Sequence, residues 1–420
     1  MPDKTATPTP KVFVQTATTP ISELDRWKQM GEEEARMVYE MTLRNELSGG
    51  TEQVRAFERE FREMHGLKHA ITTFNGTTAL WSAMYGCYVG PGDEVICPVY
   101  TWICTISSAL MLGARPVFCD VDPETMLIDP DDVRRKITKR TRAIICVHLW
   151  GWVCEMDELM AISRQTGIPI IEDCSHAHGA MYKGKMVGSV GAVGAWSMQG
   201  SKAVSAGEGG IVATDDDDII DRAAMIGQCN RAVGLDLVSR RYERYQPLGF
   251  GIKFRSHPLG IGIARVQLKK LAKLNAGRGG YVKAIEAGLK DIPGMKPIPT
   301  AAGSQRGGYY SFPVMFQPEE VPGVARQQYI QALRDHGVPA GGGGYNLLCR
   351  LPLFSEGFDI YGFNRGPLAG DYPGCKDEDF PGAVKMYDRL ISLPVLTDPV
   401  EGAADEVLRR IRAAVESLKA

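Results

Sequence analysis

The sequence has neither an excess of one charge nor a hydrophobic run long enough to cross a membrane. Its 420 residues contain 48 Lys and Arg against 50 Asp and Glu, which leaves a formal net charge of -2. This balance gives no general electrostatic reason to bind nucleic acid or an anionic membrane, so an anionic ligand needs a local site. No apolar run approaches the roughly 18 residues of a membrane helix, and residues 1–10 lack the apolar core of a signal peptide. We therefore expect a soluble, cytoplasmic protein.

The sequence also lacks Cys-x-x-Cys pairs and repeats of the solenoid kind. Its ten cysteines are scattered, mostly within apolar segments. This distribution favours reduced, buried thiols over disulfides or a zinc site. The acidic run Asp215–Asp218 precedes a helical pattern, and carboxylates suit the start of a helix, so we interpret it as a helix start rather than a metal site. We expect no bound metal.

Short apolar runs alternate with helical patterns between Ala70 and Ile171. The apolar runs that have the length of buried strands are Ala70–Phe74, Glu94–Cys97, Pro116–Cys119, Ala143–Val147 and Pro169–Ile171. Strands separated by helices predict a mostly parallel sheet with helices on both faces, because parallel neighbours need long crossovers. We therefore expect an α/β fold with a three-layer α/β/α large domain. In such sheets, ligands bind beyond the carboxyl ends of the strands.

The remainder of the chain predicts a smaller α+β domain. The helical pattern Ile263–Leu274 is followed by Asn275–Gly280, which is rich in glycine and is expected to be flexible. We place the domain boundary there. The predicted organisation is an N-terminal arm at 1–30, partly disordered, a large domain at 31–275 and a small C-terminal domain at 276–420.

Two strand ends carry candidate ligand-binding groups. Gly76 and Thr77 open a helix directly after a strand, where their backbone N–H groups either bind an anion or serve simple helix capping. Asp173 follows an apolar strand, and a buried carboxylate requires a partner. That partner is either a metal, shared with His176 and His178, or a protonated pyridine nitrogen.

Lys202 is the candidate reactive group. It lies among small residues beside a glycine-rich turn, five residues after Ser197. A lysine near a low-polarity cleft is neutral often enough to act as a nucleophile, whereas the alternative is a surface lysine in a loop. Trp102, after another strand, is either core packing or an aromatic that covers a ligand. A phosphate cradle, a buried aspartate, an aromatic ring and a lysine are together what pyridoxal phosphate requires.

The order of these motifs and the residues that form them resemble the DegT/DnrJ/StrS family of sugar and cyclitol aminotransferases. The resemblance runs from about Leu47 to Arg265 and more loosely to the carboxyl end. It implies the fold type I of transferases that depend on pyridoxal 5'-phosphate, with the cofactor in the large domain. The roles that it implies are Lys202 as the catalytic Schiff-base lysine, Asp173 as the partner of the pyridine nitrogen, His176 as a cofactor contact, Trp102 as the stacking ring, and Gly76, Thr77 and Ser197 as phosphate ligands.

Two positions depart from the usual family pattern. Lys253 stands where many members have an asparagine that reaches the phosphate of the neighbouring subunit, and a lysine is still a competent phosphate binder. A plain surface lysine is the alternative. The region Gly341–Leu353 differs from the usual acceptor loop of nucleotide-sugar enzymes. The resemblance also implies a homodimer with shared active sites.

The predicted function is transfer of an amino group from an amino acid, glutamine or glutamate, to a keto-cyclitol such as scyllo-inosose in antibiotic biosynthesis of the aminoglycoside type. The altered loop and Arg389–Pro394, which is similar to the cyclitol branch, favour this acceptor. The alternatives are a nucleotide-linked keto-sugar acceptor, a sugar dehydratase and a binding or regulatory protein without activity. The dehydratase branch typically has histidine in place of Lys202.

Overall fold

The structure of the protein is a computed structural model that describes residues 20–419. Most of the predicted N-terminal arm, residues 1–19, and Ala420 lie outside the described residues. The described end of the arm forms a 3₁₀-helix at Ile21–Leu24. The Asp25 carboxylate then accepts the backbone N–H groups of Thr397 and Asp398, both at 2.8 Å. This part of the arm is therefore bound to the C-terminal region.

Within residues 20–419 the chain forms twelve α-helices and thirteen β-strands. The helices are α1 (Glu32–Leu43), α2 (Glu52–His65), α3 (Gly76–Gly86), α4 (Cys104–Met111), α5 (Pro130–Lys136), α6 (Met156–Thr166), α7 (Asp217–Gly227), α8 (Ala232–Leu235), α9 (Pro258–Leu289), α10 (Arg326–Asp335), α11 (Pro381–Tyr387) and α12 (Ala403–Ser417). The strands are β1 (His69–Thr73), β2 (Glu94–Pro98), β3 (Arg115–Cys119), β4 (Thr141–Val147), β5 (Ile170–Asp173), β6 (Met181–Tyr182), β7 (Lys185–Met186), β8 (Val193–Ser197), β9 (Gly210–Thr214), β10 (Met295–Pro297), β11 (Ser304–Gln305), β12 (Phe312–Phe316) and β13 (Leu390–Leu393).

The central sheet has seven strands in the order β1-β9-β8-β5-β4-β2-β3. All neighbours pair in parallel except β9, which is antiparallel to both β1 and β8. Every residue of β2, β5 and β9 is buried, as expected for strands that are covered by helices on both faces. The predicted α/β fold with a mostly parallel sheet is confirmed. The carboxyl ends of β1, β2, β5 and β8 all lie at the same edge of this sheet.

The C-terminal region contains a second, antiparallel sheet in the order β10-β12-β13. Helices α10 and α12 pack against each other beside it. Strand β13 has the bounds that its apolar pattern suggests, and its partner β12 is buried along its whole length. A third small sheet, β11-β6-β7, pairs β11 of the C-terminal region with β6 of the large domain. The expected smaller α+β region is present.

The predicted break at Asn275–Gly280 is wrong, because α9 continues through it to Leu289. Two of the three glycines there, Gly277 and Gly279, allow close packing. A Cβ on Gly277 would lie 2.2 Å from the backbone oxygen of Thr397, and one on Gly279 would lie 2.7 Å from the Tyr309 hydroxyl. Helix α9 thus joins both regions as one rigid element, and the domain boundary near residue 275 remains a prediction.

Two smaller expectations concern the cysteines and the acidic run. All ten cysteines are free thiols, and eight of them are buried. The acidic run starts α7, where the Asp216 carboxylate caps the backbone N–H groups of Asp218 and Ile219. In the part of the chain that the structure describes, no helix is both long and apolar enough to cross a membrane.

Candidate active site

A cavity of about 450 Å³ lies at the edge of the sheet where β1, β2, β5 and β8 end. Its volume is in the range of small-molecule sites. Seven of the eight predicted site residues line it, namely Gly76, Thr77, Trp102, Asp173, His176, Ser197 and Lys202. Lys253 does not. The topology therefore brings together residues that are spread over more than a hundred positions of the chain.

The start of α3 forms one end of the cavity. The Asn75 side chain caps the helix by accepting the backbone N–H of Thr78 at 2.9 Å. The N–H groups of Gly76 and Thr77, in the first turn, have no partners within the helix. A Cβ on Gly76 would lie 2.6 Å from the Cβ of Ser197, so only glycine allows the helix to start this close to that serine. Two backbone donors and one hydroxyl are thus available to an anion at a helix N-terminus.

Asp173, at the end of β5, places a carboxylate in the cavity wall. Its Oδ2 accepts a hydrogen bond from the Thr105 hydroxyl at 2.8 Å, and its Oδ1 accepts the backbone N–H of Ser175 at 3.0 Å. The residue is 4% exposed, and no cationic side chain of residues 20–419 lies within ion-pair distance of it. A buried carboxylate without a cation is suited to a ligand that brings a positively charged N–H group.

Lys202 lies in the loop after β8, and its amine reaches the cavity. Nζ is 3.8 Å from the ring centroid of Tyr310. Among residues 20–419, no side chain or carbonyl makes a hydrogen bond or ion pair with this amine. Burial lowers the pKa of Lys202 from 10.5 to about 8, and the charge of Asp173 opposes this shift without cancelling it. At neutral pH a useful fraction of the amine is therefore unprotonated and nucleophilic.

Two tyrosines of the C-terminal region complete the cavity and were missed by the sequence analysis. Tyr310 precedes β12, and Tyr345 follows the glycine-rich loop Gly341–Gly344. Nothing in the sequence pattern connects either tyrosine to Lys202. Their place in the site comes from the docking of the C-terminal region on the large domain.

His176 is packed between these tyrosines and the large domain. Its ring is parallel to that of Tyr310, with centroids 4.3 Å apart and an interplanar angle of 3°. Nδ1 accepts the backbone N–H of Trp150 at 3.3 Å, so the proton of the neutral ring is on Nε2, which donates to the Tyr345 hydroxyl at 3.3 Å. Burial holds the pKa of His176 well below its usual range, and the charge of Lys202 acts in the same direction. The ring is therefore neutral.

Trp102 stands at the cavity and not in the hydrophobic core. Its side chain is 52% exposed, and its ring centroid lies 5.4 Å from that of Tyr345. The indole N–H donates to the Cys104 Sγ at 3.1 Å, which fixes the orientation of the ring. Core packing, the alternative for this residue, is therefore wrong, and a broad aromatic face is open to a ligand.

The metal alternative does not match the observed geometry. Within the described residues, one group of three potential ligands converges, namely His148, Glu172 and Cys174, and the set of Asp173, His176 and His178 does not. Both ring nitrogens of His176 already have protein partners. The Glu172 carboxylate accepts three backbone N–H groups in addition to the His148 side chain, so its lone pairs are in use.

Lys253 lies on the surface, outside the cavity of its own chain. Its backbone pairs with Gln228 in an isolated bridge, and its side chain is exposed. The predicted contact with the phosphate of a neighbouring subunit concerns a second chain and stays a prediction.

A sequence profile of the DegT/DnrJ/EryC1/StrS aminotransferase family matches residues 28–412. The chain belongs to this family. It is thus a pyridoxal-phosphate-dependent aminotransferase of the sugar and cyclitol type, with the fold type I architecture of its structural neighbours. The family resemblance, the α/β fold, the enzyme class and the cofactor expected from the sequence are all confirmed.

One relative and one solved structure are similar along most of the chain, and a second relative is similar along about half of it. The spore coat polysaccharide biosynthesis protein SpsC of Bacillus subtilis is 30% identical over 92% of this chain and 95% of its own. The L-glutamine:2-deoxy-scyllo-inosose aminotransferase of Streptomyces lividus is 44% identical over 46% of this chain and 45% of its own. An aminotransferase structure from Psychrobacter cryohalolentis has a TM-score of 0.81 and 29% identity, covering 94% of this chain and 99% of that one.

The cavity fits pyridoxal phosphate in each of its chemical parts. The free N–H groups at the start of α3 and the Ser197 hydroxyl match a phosphate, and the missing Cβ of Gly76 allows the start of the helix and Ser197 to lie close together. The Asp173 carboxylate, without a cation of its own, matches a protonated ring nitrogen. Lys202 supplies an amine of lowered pKa.

Proposed function

We propose that the protein transfers an amino group from glutamine or glutamate to a keto-cyclitol, with Lys202 as the reacting amine. The observation that carries this proposal is the convergence, in one cavity, of the Lys202 amine, the Asp173 carboxylate and the free N–H groups at the start of α3. The three groups come from three separate strand ends, and each has a chemical counterpart in the cofactor of the family.

Each cavity residue has a defined task in holding the cofactor. Trp102 would offer its aromatic face to the ring of the cofactor, and His176 would be a neutral contact in the same cavity. Gly76 and Thr77 would donate backbone N–H groups to the phosphate, and the Ser197 hydroxyl would donate a further hydrogen bond. Such charge-assisted hydrogen bonds are worth about 1.5–3 kcal/mol each, so together they orient the cofactor tightly.

Asp173 and Lys202 divide the proton chemistry between them. Pyridoxal phosphate, when bound, supplies an aldehyde that reacts reversibly with amines and a ring that withdraws electrons. Asp173 would keep a proton on the ring nitrogen by accepting its hydrogen bond. The neutral Lys202 Nζ would take the proton from the α-carbon of the amino donor, and the ammonium group so formed would give it back. For the ketone acceptor, the same amine would move a proton in the opposite sense.

Two observations support an uncharged ring as the acceptor. The Streptomyces lividus relative is named for a cyclitol ketone, 2-deoxy-scyllo-inosose, and for glutamine as donor. In addition, Lys202 is the one Lys or Arg among the described residues that line the cavity. A nucleotide diphosphate is normally bound by several cationic groups. The polar lining also includes Gln199, Ser201 and Glu208, whose side chains suit the hydroxyl groups of a cyclitol.

The test is a half-reaction with defined acceptors. The pyridoxamine form of the enzyme is mixed with a panel of keto-cyclitols and nucleotide-linked keto-sugars, and the return of the aldehyde absorbance is followed. We expect return with keto-cyclitols at rates at least tenfold above those with nucleotide sugars. Faster return with nucleotide sugars would overturn the acceptor, and an equally active Lys202→Ala variant would overturn the role of the lysine.

We also propose that two copies of the chain share their active sites. Lys253 has apolar neighbours that are unusually exposed, with Leu248 at 54%, Phe250 at 50% and Ile252 at 43% exposure. Contact with a second subunit would bury these side chains and bring Lys253 to a partner's phosphate. We expect a dimer in light scattering, and roughly tenfold weaker cofactor binding in Lys253→Ala, from the loss of one charged contact. A monomer with full activity would contradict this proposal.

A further inference from the structure

The ring of Tyr310 is in direct contact with the Lys202 amine. The amine lies 3.8 Å from the centroid of the tyrosine ring, and the ring of His176 lies parallel to that ring with centroids 4.3 Å apart. Tyr310 therefore contacts both the lysine amine and the neutral histidine of the site.

The hydroxyl end of Tyr310 is fixed to the same loop as the lysine. Tyr310 Oη lies 3.1 Å from the Oγ of Ser201, the residue that precedes Lys202. The Ser201 hydroxyl is itself held by the Gln199 side chain at 2.6 Å. These hydrogen bonds fix the hydroxyl end of the Tyr310 ring relative to the loop that carries Lys202.

A ring face suits a lysine that must alternate between two protonation states. Asp173 lines the same cavity, yet it makes no ion pair with Lys202 in the described structure. An ion pair would stabilise the ammonium form strongly, whereas a cation–π contact attracts it more weakly. The amine of Lys202 therefore keeps a pKa of about 8, because burial outweighs the nearby charges.

We propose that Tyr310 is a positioning residue that holds the Lys202 amine against its ring whenever the amine is not bonded to the cofactor. This inference rests on the proposed function for the role of Lys202. Without such a contact, a freed lysine side chain has many rotamers, and most of them point the amine away from the reacting carbon. Tyr310 belongs to the segment before β12, so the C-terminal region supplies the ring that positions the catalytic amine.

Other titratable groups also face the amine and must be kept constant in a test. They come from the large domain, the lysine loop and the glycine-rich loop, and they are Cys104, Asp173, His176, His178, Glu208 and Tyr345. A test that changes only the Tyr310 ring leaves all of them in place.

The experiment measures the protonation of Lys202 in the full-length protein freed of cofactor. Limited acetylation with acetic anhydride across a pH series, with the Lys202 peptide quantified by mass spectrometry, gives the midpoint at which the amine becomes reactive. Access changes the rate of labelling but not this midpoint. We compare the wild type with Tyr310→Phe, which keeps the ring, and Tyr310→Leu, which replaces it with an apolar side chain.

We expect the Phe variant to keep the wild-type midpoint and the Leu variant to lower it by about one unit, because the ring favours the charged amine. A Leu midpoint equal to or above that of Phe would overturn the proposal. Tyr310→Met gives the same comparison if the Leu variant does not fold. Attachment of the cofactor to another lysine would refute the proposed function, while the midpoints would still decide the role of Tyr310.

Discussion

Glu172 and Asp173 are adjacent carboxylates at the end of one strand, but their side chains lie in different surroundings. Successive side chains of a strand point to opposite faces of the sheet. Glu172 is fully buried, and its two oxygens accept the N–H groups of Gly188, Val190 and Gly191 at 2.5–2.8 Å and the His148 side chain at 2.9 Å. Asp173 faces the cavity.

The difference between the two lies in how completely their partners are supplied by the protein. His148 Nδ1 accepts the backbone N–H of Cys154, so its Nε2 carries the proton that is donated to Glu172. Glu172 thus accepts one hydrogen bond from His148 and three from the loop that leads into β8. Asp173 has two donors and an open side toward Lys202. A carboxylate with a complete set of partners stabilises the fold, whereas one with an incomplete set is available for chemistry.

The largest expected effect comes from replacing Asp173, the carboxylate that faces the cavity. Asp173→Asn keeps the shape of the side chain but removes the charge that holds the cofactor's ring nitrogen protonated. We expect transamination to fall by about 10²–10⁴-fold, the range of a lost proton-transfer contribution, while the free energy of unfolding stays within about 1 kcal/mol of the wild type. Single-turnover rates and urea unfolding measure the two quantities. A large loss of stability would contradict the distinction from Glu172.

Glu172, whose partners are all supplied by the protein, should show the reverse pattern, with the main effect on stability. Glu172→Gln places an amide donor against backbone donors in a fully buried position, and the expected loss is about 3 kcal/mol in the free energy of unfolding. Burial alone would raise the pKa of Glu172, but its hydrogen-bond donors outweigh this and hold it below 4.5. The stabilisation is therefore present above about pH 4.5 and is lost as the pH falls below it. The free energies of unfolding of the wild type and the variant should therefore converge as the pH falls. A difference between them that stays constant with pH would contradict this.

The pKa of Lys202 should respond to the charge of Asp173 but not to that of Glu172. The charge of Asp173 raises the pKa of Lys202 against the larger effect of burial. Asp173→Asn should therefore move the reactive midpoint of Lys202 further below about 8, and Glu172→Gln should leave it unchanged. Acetylation of the cofactor-free proteins across a pH series measures both. Equal shifts in the two variants would show that Asp173 has no special coupling to the lysine.

The smallest expected effect comes from a residue that supports Asp173. Thr105→Val removes the hydroxyl that donates to Asp173 Oδ2 at 2.8 Å but keeps the branched shape of the side chain. One hydrogen bond to a charged group is worth about 1.5–3 kcal/mol, so we expect kcat/KM to fall by roughly 10- to 150-fold. Thr105→Ser, which keeps the hydroxyl, is the matched control and should retain activity.

The sequence was sufficient to predict the α/β fold and seven of the residues of the large domain that line the cavity. Each of those seven lies at or after the end of a strand of one sheet, so topology brings them to one edge. The sequence was insufficient for others in the same domain, such as Thr105, whose hydroxyl donates to Asp173. It was insufficient for Tyr310 and Tyr345, because their place depends on how the C-terminal region docks. The predicted flexible break at Asn275–Gly280 was wrong because a glycine-rich composition does not distinguish a flexible loop from a closely packed helix.

The attachment site of the cofactor tests the central claim most directly. The holoenzyme is reduced with borohydride, digested and analysed by mass spectrometry for the lysine that carries the pyridoxyl group. The wild type should carry it on Lys202, and Lys202→Ala should carry none while keeping its wild-type unfolding curve. A pyridoxyl group on Lys253 or any other lysine of the wild type would contradict the account.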